Sequence, residues 1–74
     1  MNNMDYLNCF MERTYKYCKN GTTRDARIVF LHQAFGAVQF ACEIDPKHDE
    51  FYTQFWMDEE NGWRKKFEDL VWEV

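Results

Sequence analysis

Apolar residues return at three- and four-residue steps along most of the chain, the period of an amphipathic helix. Over about Asn3 to Lys19, Met4, Leu7, Met11, Thr14 and Cys18 form one such stripe. Phe10 and Tyr17 widen it, while Glu12, Arg13, Lys16 and Lys19 fall on other sides. Asp5 lies in the first turn and Lys16 and Lys19 in the last, the order that the helix dipole favours. Asn20-Gly21 then stops the helix, with Gly21 the expected left-handed residue just beyond its end.

The second helix, about 23–44, is the clearest. Thr22 or Thr23 offers an N-cap, and Asp25 stands in the first turn. Ile28, Leu31, Phe35, Val38 and Cys42 make one apolar stripe, and Phe30, Ala34, Ala37, Ala41 and Ile44 make a second beside it. Only a narrow polar strip of His32, Gly36, Gln39 and Glu43 remains. A helix apolar over so much of its circumference has to be covered on several sides, so it is expected at the centre of the fold, with Leu31 and Phe35 in the core.

Asp45-Pro46 ends this helix, because a residue preceding proline is driven out of helical geometry. A third helix, about Lys47 to Glu60, carries Phe51, Tyr52, Phe55 and Trp56 on one side. After Asn61-Gly62 a fourth carries Trp63, Phe67, Leu70, Val71 and Val74. The aromatic run from Phe51 to Met57 also fits a strand, with Asn61-Gly62 closing a β-hairpin. In the fourth helix Arg64, Lys65 and Lys66 stand at the start and Glu68, Asp69 and Glu73 near the end, against the dipole. That mismatch vanishes if Asp58 to Glu60 open one continuous, kinked helix. The pattern therefore predicts an all-α protein, residues 1–74 forming a single compact bundle of three to four helices.

At 74 residues the chain buries only about 60% of the surface that its unfolded form exposes. It has nine Ile, Leu and Val but seven Phe, four Tyr and three Trp, so the core has to be built largely from aromatic rings. Cys9, Cys18 and Cys42 are odd in number and lack paired spacing. With two distant histidines they form neither a disulfide framework nor a zinc site, so no metal or other cofactor is expected. No leader pattern opens the sequence and no run is long and apolar enough to span a membrane, so a reducing cytoplasm is the expected setting.

The formal charge of −4 hides an asymmetry. Residues 1–42 carry five basic and three acidic side chains (+2), and residues 43–74 carry four basic and ten acidic (−6), which sum to −4. The basic group, Arg13, Lys16, Lys19, Arg24 and Arg27, surrounds the turn at Gly21. It is arranged as in a helix-turn-helix, but the apolar second helix has few side chains to offer base edges, and direct nucleic-acid binding is not expected.

Catalytic groupings are absent from the spacing. His48-Asp49 lacks the further ligands that a metal-dependent hydrolase needs, since only His32 remains and it belongs to another face. His32 and Cys42, ten residues apart on one helix, stand about 15 Å from each other and cannot act as base and nucleophile. No enzymatic activity is expected. The sequence reads instead as a small acidic protein-binding module whose partner has a basic surface, in the manner of phage inhibitors that occlude the nucleic-acid-binding surface of a defence nuclease. Asp58, Glu59, Glu60, Glu68, Asp69 and Glu73 are the expected recognition face, with Trp56 and Trp63 as aromatic anchors. The alternative is a self-associating helical regulator touching nucleic acid through the basic turn around Gly21. Ala34, Ala37 and Ala41, with Gly36 nearby, are the residues that would let two copies approach as a homodimer.

Overall fold

The computed structural model describes residues 2–74, which fold as four α-helices and one short 3-10 turn. Helix α1 spans Asn3–Asn20, α2 Arg24–Ile44, α3 Asp49–Met57 and α4 Trp63–Glu73, and the 3-10 turn Pro46–His48 joins α2 to α3. No strand occurs among the described residues, so the aromatic run at Phe51 is helical and the hairpin alternative is set aside. Period decides the outcome: Tyr52 and Trp56, four residues apart, are the pair that α3 buries.

Local chemistry explains the helix ends. Asn2 and Asp5 form a reciprocal capping box, with Asn2 Oδ1 accepting from the Asp5 backbone N–H at 2.9 Å. Thr23 Oγ1 accepts from the Ala26 N–H at 3.1 Å and opens α2. Gly21, however, is extended at φ −66°, not left-handed as its position suggested. Its backbone N–H still caps α1 by donating to the Cys18 carbonyl. Glycine matters more at Gly62, where an added Cβ would come within 2.6 Å of the Trp56 carbonyl oxygen and even closer to that of Asp58. Glycine thus permits the tight Asp58–Gly62 turn between α3 and α4, closed by the Gly62 N–H donating to the Asp58 carbonyl at 2.8 Å. The chain turns at Asp58–Asn61 rather than continuing as one kinked helix, and the reversed charge order of α4 stands.

Helix α2 touches each of the other three helices and so occupies the centre. Its buried line runs between the two apolar stripes of the sequence, through Arg27, Ala34, Val38 and Ala41. Leu7, Met11, Thr14 and Cys18 of α1 and Phe67, Leu70 and Val71 of α4 close over it with Tyr52 and Trp56. The aromatic rings interlock mostly at tilted or edge-on angles: Tyr15 meets Phe67 at 5.7 Å, and Trp56 meets Phe67 at 6.2 Å. Because the core lies between the stripes, their outer members are left at its rim. Phe35, expected in the core, is 44% exposed and leans on Trp56 at 5.9 Å, and Leu31 is only half-buried. Ala34 and Ala41, expected to admit a second copy, are used inside the molecule.

Arg27 ties three helices together. Its guanidinium donates to the Gly21 carbonyl at 2.9 Å, the Lys19 carbonyl at 3.0 Å and the Leu70 carbonyl at 2.7 Å. The first two belong to the end of α1 and the third to the last turn of α4. Replacing Arg27 by Ala strands three carbonyls, and charged hydrogen bonds of this kind contribute about 1.5–3 kcal/mol each. A loss of roughly 3 kcal/mol or more in urea unfolding is expected, and Arg27→Lys should not rescue it, since one ammonium cannot bridge both helix ends. A lysine variant as stable as the wild type would refute this role. In the same assay Phe67→Ala should cost about 3–5 kcal/mol, whereas Phe35→Ala at the rim should cost only about 1 kcal/mol.

Candidate functional site

The basic residues of the sequence do not form one patch. Arg13, Lys16 and Lys19 are exposed on α1. Arg27 is buried, and Arg24 donates to the Val74 carbonyl at 2.8 Å while lying 4.7 Å over the Trp72 ring. The two arginines of the basic group that lie on α2 are thus committed to the ends of α1 and α4.

The six acidic residues expected as a recognition face are dispersed as well. Asp58 is half-buried and holds the turn before α4, where its Oδ1 accepts from the Glu60 N–H at 2.8 Å and the Asn61 N–H at 3.1 Å. Those two backbone donors hold its carboxyl below the usual carboxylate range. Glu59 and Glu60 are exposed in that turn. Glu68 is half-buried and faces Arg64 Nε at 3.7 Å, too far for a hydrogen bond. Asp69 is exposed, and Glu73 stands 3.8 Å from Arg27, about 15 Å along α4 from its start. The aromatic anchors change role too. Trp56 is only 4% exposed and belongs to the core. Trp63 is half-buried among Tyr15, Phe55 and Phe67, and the Lys66 ammonium covers its ring at 4.3 Å. Of the three tryptophans only Trp72 is left largely in solvent, 70% exposed.

What the fold does bring together lies at the corner between α2 and α3. Glu43 at the end of α2 and Asp49 and Glu50 at the start of α3 are exposed there, and none of the three forms an ion pair among the described residues. Beside them Asp45 accepts the Tyr52 hydroxyl at 2.7 Å and meets His48 Nδ1 at 3.0 Å. The Tyr52 hydrogen bond, then that of His48, pulls the Asp45 carboxyl below its usual range, and the same bond raises the Tyr52 phenol. Phe51 projects from this corner with 67% of its surface exposed, its ring 5.9 Å from that of His48. An open recess of about 470 Å³ adjoins it, lined by Asn2, Asn3, Met4, Asp45, His48, Phe51 and Tyr52.

Asp45 orients His48 as a carboxylate orients a general base, yet no hydroxyl or thiol among the described residues is hydrogen-bonded to the other ring nitrogen. Among the described residues no three His, Cys, Asp or Glu side chains converge as metal ligands. Cys18 is buried, and loss of solvent raises its thiol despite the neighbouring Arg27, which disfavours a reactive thiolate. No described helix is long and apolar enough to cross a membrane. The corner had a signal in the sequence: an Asp-Pro-x-His turn followed four residues later by Tyr52, with Phe51 set directly after two acids. Comparison with protein-family models, with curated proteins and with solved structures gives no match.

The two depressed carboxyls contribute to the loss of stability in acid. A group whose pKa falls on folding contributes above its unfolded value, about 3.9 for Asp, and loses that contribution as pH falls through the lower folded value. The melting temperature should therefore decline below about pH 4. Asp58→Asn should lower stability at neutral pH and make the acid decline shallower than in the wild type. A melting temperature with the same pH slope in both proteins would exclude the Asp58 turn as a source.

Proposed function

We propose that the protein is a non-enzymatic protein-binding module that docks its acidic α2–α3 corner on a basic surface of its partner. The observation that carries this reading is Phe51, a large ring left 67% exposed directly after the unpaired Asp49 and Glu50 in a chain short of core material. Exposed aromatics ringed by polar groups are the usual anchors of protein interfaces, and the surrounding charge steers the encounter. Charge is also segregated along the molecule. Near the acidic end Glu43 closes α2, and Arg24 opens it about 30 Å away, across the Gly21 turn from Lys19. A partner surface built for nucleic-acid phosphates matches the acidic end, and occlusion of a nuclease channel by an inhibitor is the specific form this takes. Direct contact with nucleic acid is disfavoured, because Arg24 and Arg27 are engaged with helix carbonyls.

The test is capture from host lysate at low and high salt, followed by binding kinetics with the captured protein. Wild type should take up a basic protein with an association rate that falls as the screening length shrinks to about 8–10 Å. Phe51→Ala should weaken binding by on the order of tenfold or more. Asp49→Lys combined with Glu50→Lys should slow association. Phe51→Ala should melt like the wild type because the ring is exposed, whereas the double lysine variant, with cations in the first turn of α3, should stay helical at a lower melting temperature. Binding unaffected by these changes, or tight binding of wild type to bare duplex DNA, would defeat the proposal.

A further inference from the structure

On the side of α2 away from its buried line, Val29, Gln33, Gly36 and Phe40 follow one another at steps of four, three and four residues. That spacing is the seam of a paired helix, and all four residues are exposed. Val29 is 53% exposed, Phe40 63%, and Ile44, one turn further on, 57%. Tyr17 of α1 extends the strip sideways, where it stacks on Phe30 at 6.1 Å. Gly36 is the unexplained residue here. Glycine in a helix interior is unfavourable by roughly 0.8–1 kcal/mol against alanine, its φ is not positive, and an added Cβ would meet nothing within 4 Å. Nothing within one copy of the chain requires a hole at this position.

We propose that a second copy of the chain occupies this strip, with α2 packed antiparallel on its counterpart about a two-fold axis midway between Gly36 and Phe40. Phe40 of each copy then seats over Gly36 of the other, a knob and its hole one helical turn apart on the same surface, as an isologous interface demands. Three further features fit this occupant. The pairing sets Gln33 against Glu43, so an amide donates to a carboxylate and no like charges oppose each other across the seam. It also sets the acidic end of each copy over the end of its counterpart that carries Lys19 and Arg24. Finally, Tyr17, Val29, Phe40 and Ile44 together leave on the order of 400 Å² of apolar area uncovered, near the apolar share of the ~800 Å² that each partner contributes to a standard interface. The strip lies across α2 from the residues that face α3 and shares only Glu43 with the corner around Phe51. Because pairing of the purified chain needs no other protein, its failure is distinguishable from failure of the partner docking proposed above.

Sedimentation of the purified full chain decides the matter, with circular dichroism as the control for folding. Wild type should be dimeric at micromolar concentration. Phe40→Ala removes the knob and Gly36→Phe fills the hole, and each should raise the dimer dissociation constant on the order of 30-fold or more without loss of helix, since both sites face solvent in the single copy. Mixing the two variants should restore a dimer. The native Phe40 of the Gly36→Phe chain meets the native Gly36 of the other, and the ring introduced at position 36 fills the space vacated at position 40. A wild type that stays monomeric to high micromolar concentration would overturn the proposal and assign the strip to a different protein. A dimer indifferent to both substitutions, or single variants that dissociate but do not complement when mixed, would overturn it equally.

Discussion

A single guanidinium, that of Arg27, is the contact on which the arrangement of helices depends. It is buried, and its one carboxylate neighbour among the described residues, Glu73, stands 3.8 Å away and reaches into solvent. What balances its charge is backbone. Arg27 sits where the C-terminal ends of α1 and α4 meet, and each helix end carries roughly half a negative charge on its unpaired carbonyls. Two such ends approximate one unit of charge, in a place where a carboxylate would itself have to be desolvated. The fork shape of the side chain matters as much as its charge, because it reaches Lys19, Gly21 and Leu70 at once. The same contact resolves the odd charge order of α4. That helix has no cation in its own last turn, and Arg27 and Arg24 of α2 supply one from outside.

Fixing the helix ends in this way frees the middle of the molecule to be packed by shape. Small residues of α2, Ala34 and Ala41, lie where the other helices close on it, while the bulk of the core comes from Met11, Tyr52, Trp56 and Phe67 on α1, α3 and α4. One helix with two apolar stripes and three short partners leaves surplus apolar surface, since three helices do not enclose the whole circumference of the fourth. That surplus appears as the outer strip of α2, while the exposed ring of Phe51 stands at a corner where charge gathers. A small domain that keeps large rings in solvent forgoes stability it could have had from burying them. The two surfaces centre on different residues, Gly36 and Phe40 for the apolar strip and Phe51 for the corner, and they meet at Glu43.

How much of this was legible in the sequence depends on the range of the interaction concerned. An all-α bundle of three to four helices, the α1 stripe of Leu7, Met11, Thr14 and Cys18, a cap at Thr22 or Thr23 and the central place of α2 all follow from periods and caps that act within a turn or two. The errors share one cause. Residue type points Phe35 and Trp56, Arg27 and Asp58 to roles that what lies opposite them in the fold then changes. A local pattern says that a side of a helix is apolar, not which of its two edges a neighbour will cover. Arg27 is separated by 43 residues from the Leu70 carbonyl it binds, and no periodicity encodes that pairing. The acidic corner is local, since Glu43, Asp45, Asp49 and Glu50 lie within eight residues, and what the tertiary structure adds is that Asp45 is spent on Tyr52 and His48 while the other three form no ion pair among the described residues. The sequence by itself determined the helices and which of their sides had to be buried, because those are short-range consequences of backbone geometry and side-chain polarity. Only the tertiary structure decided which charges are spent inside and which face solvent, because that depends on where the ends of distant helices meet.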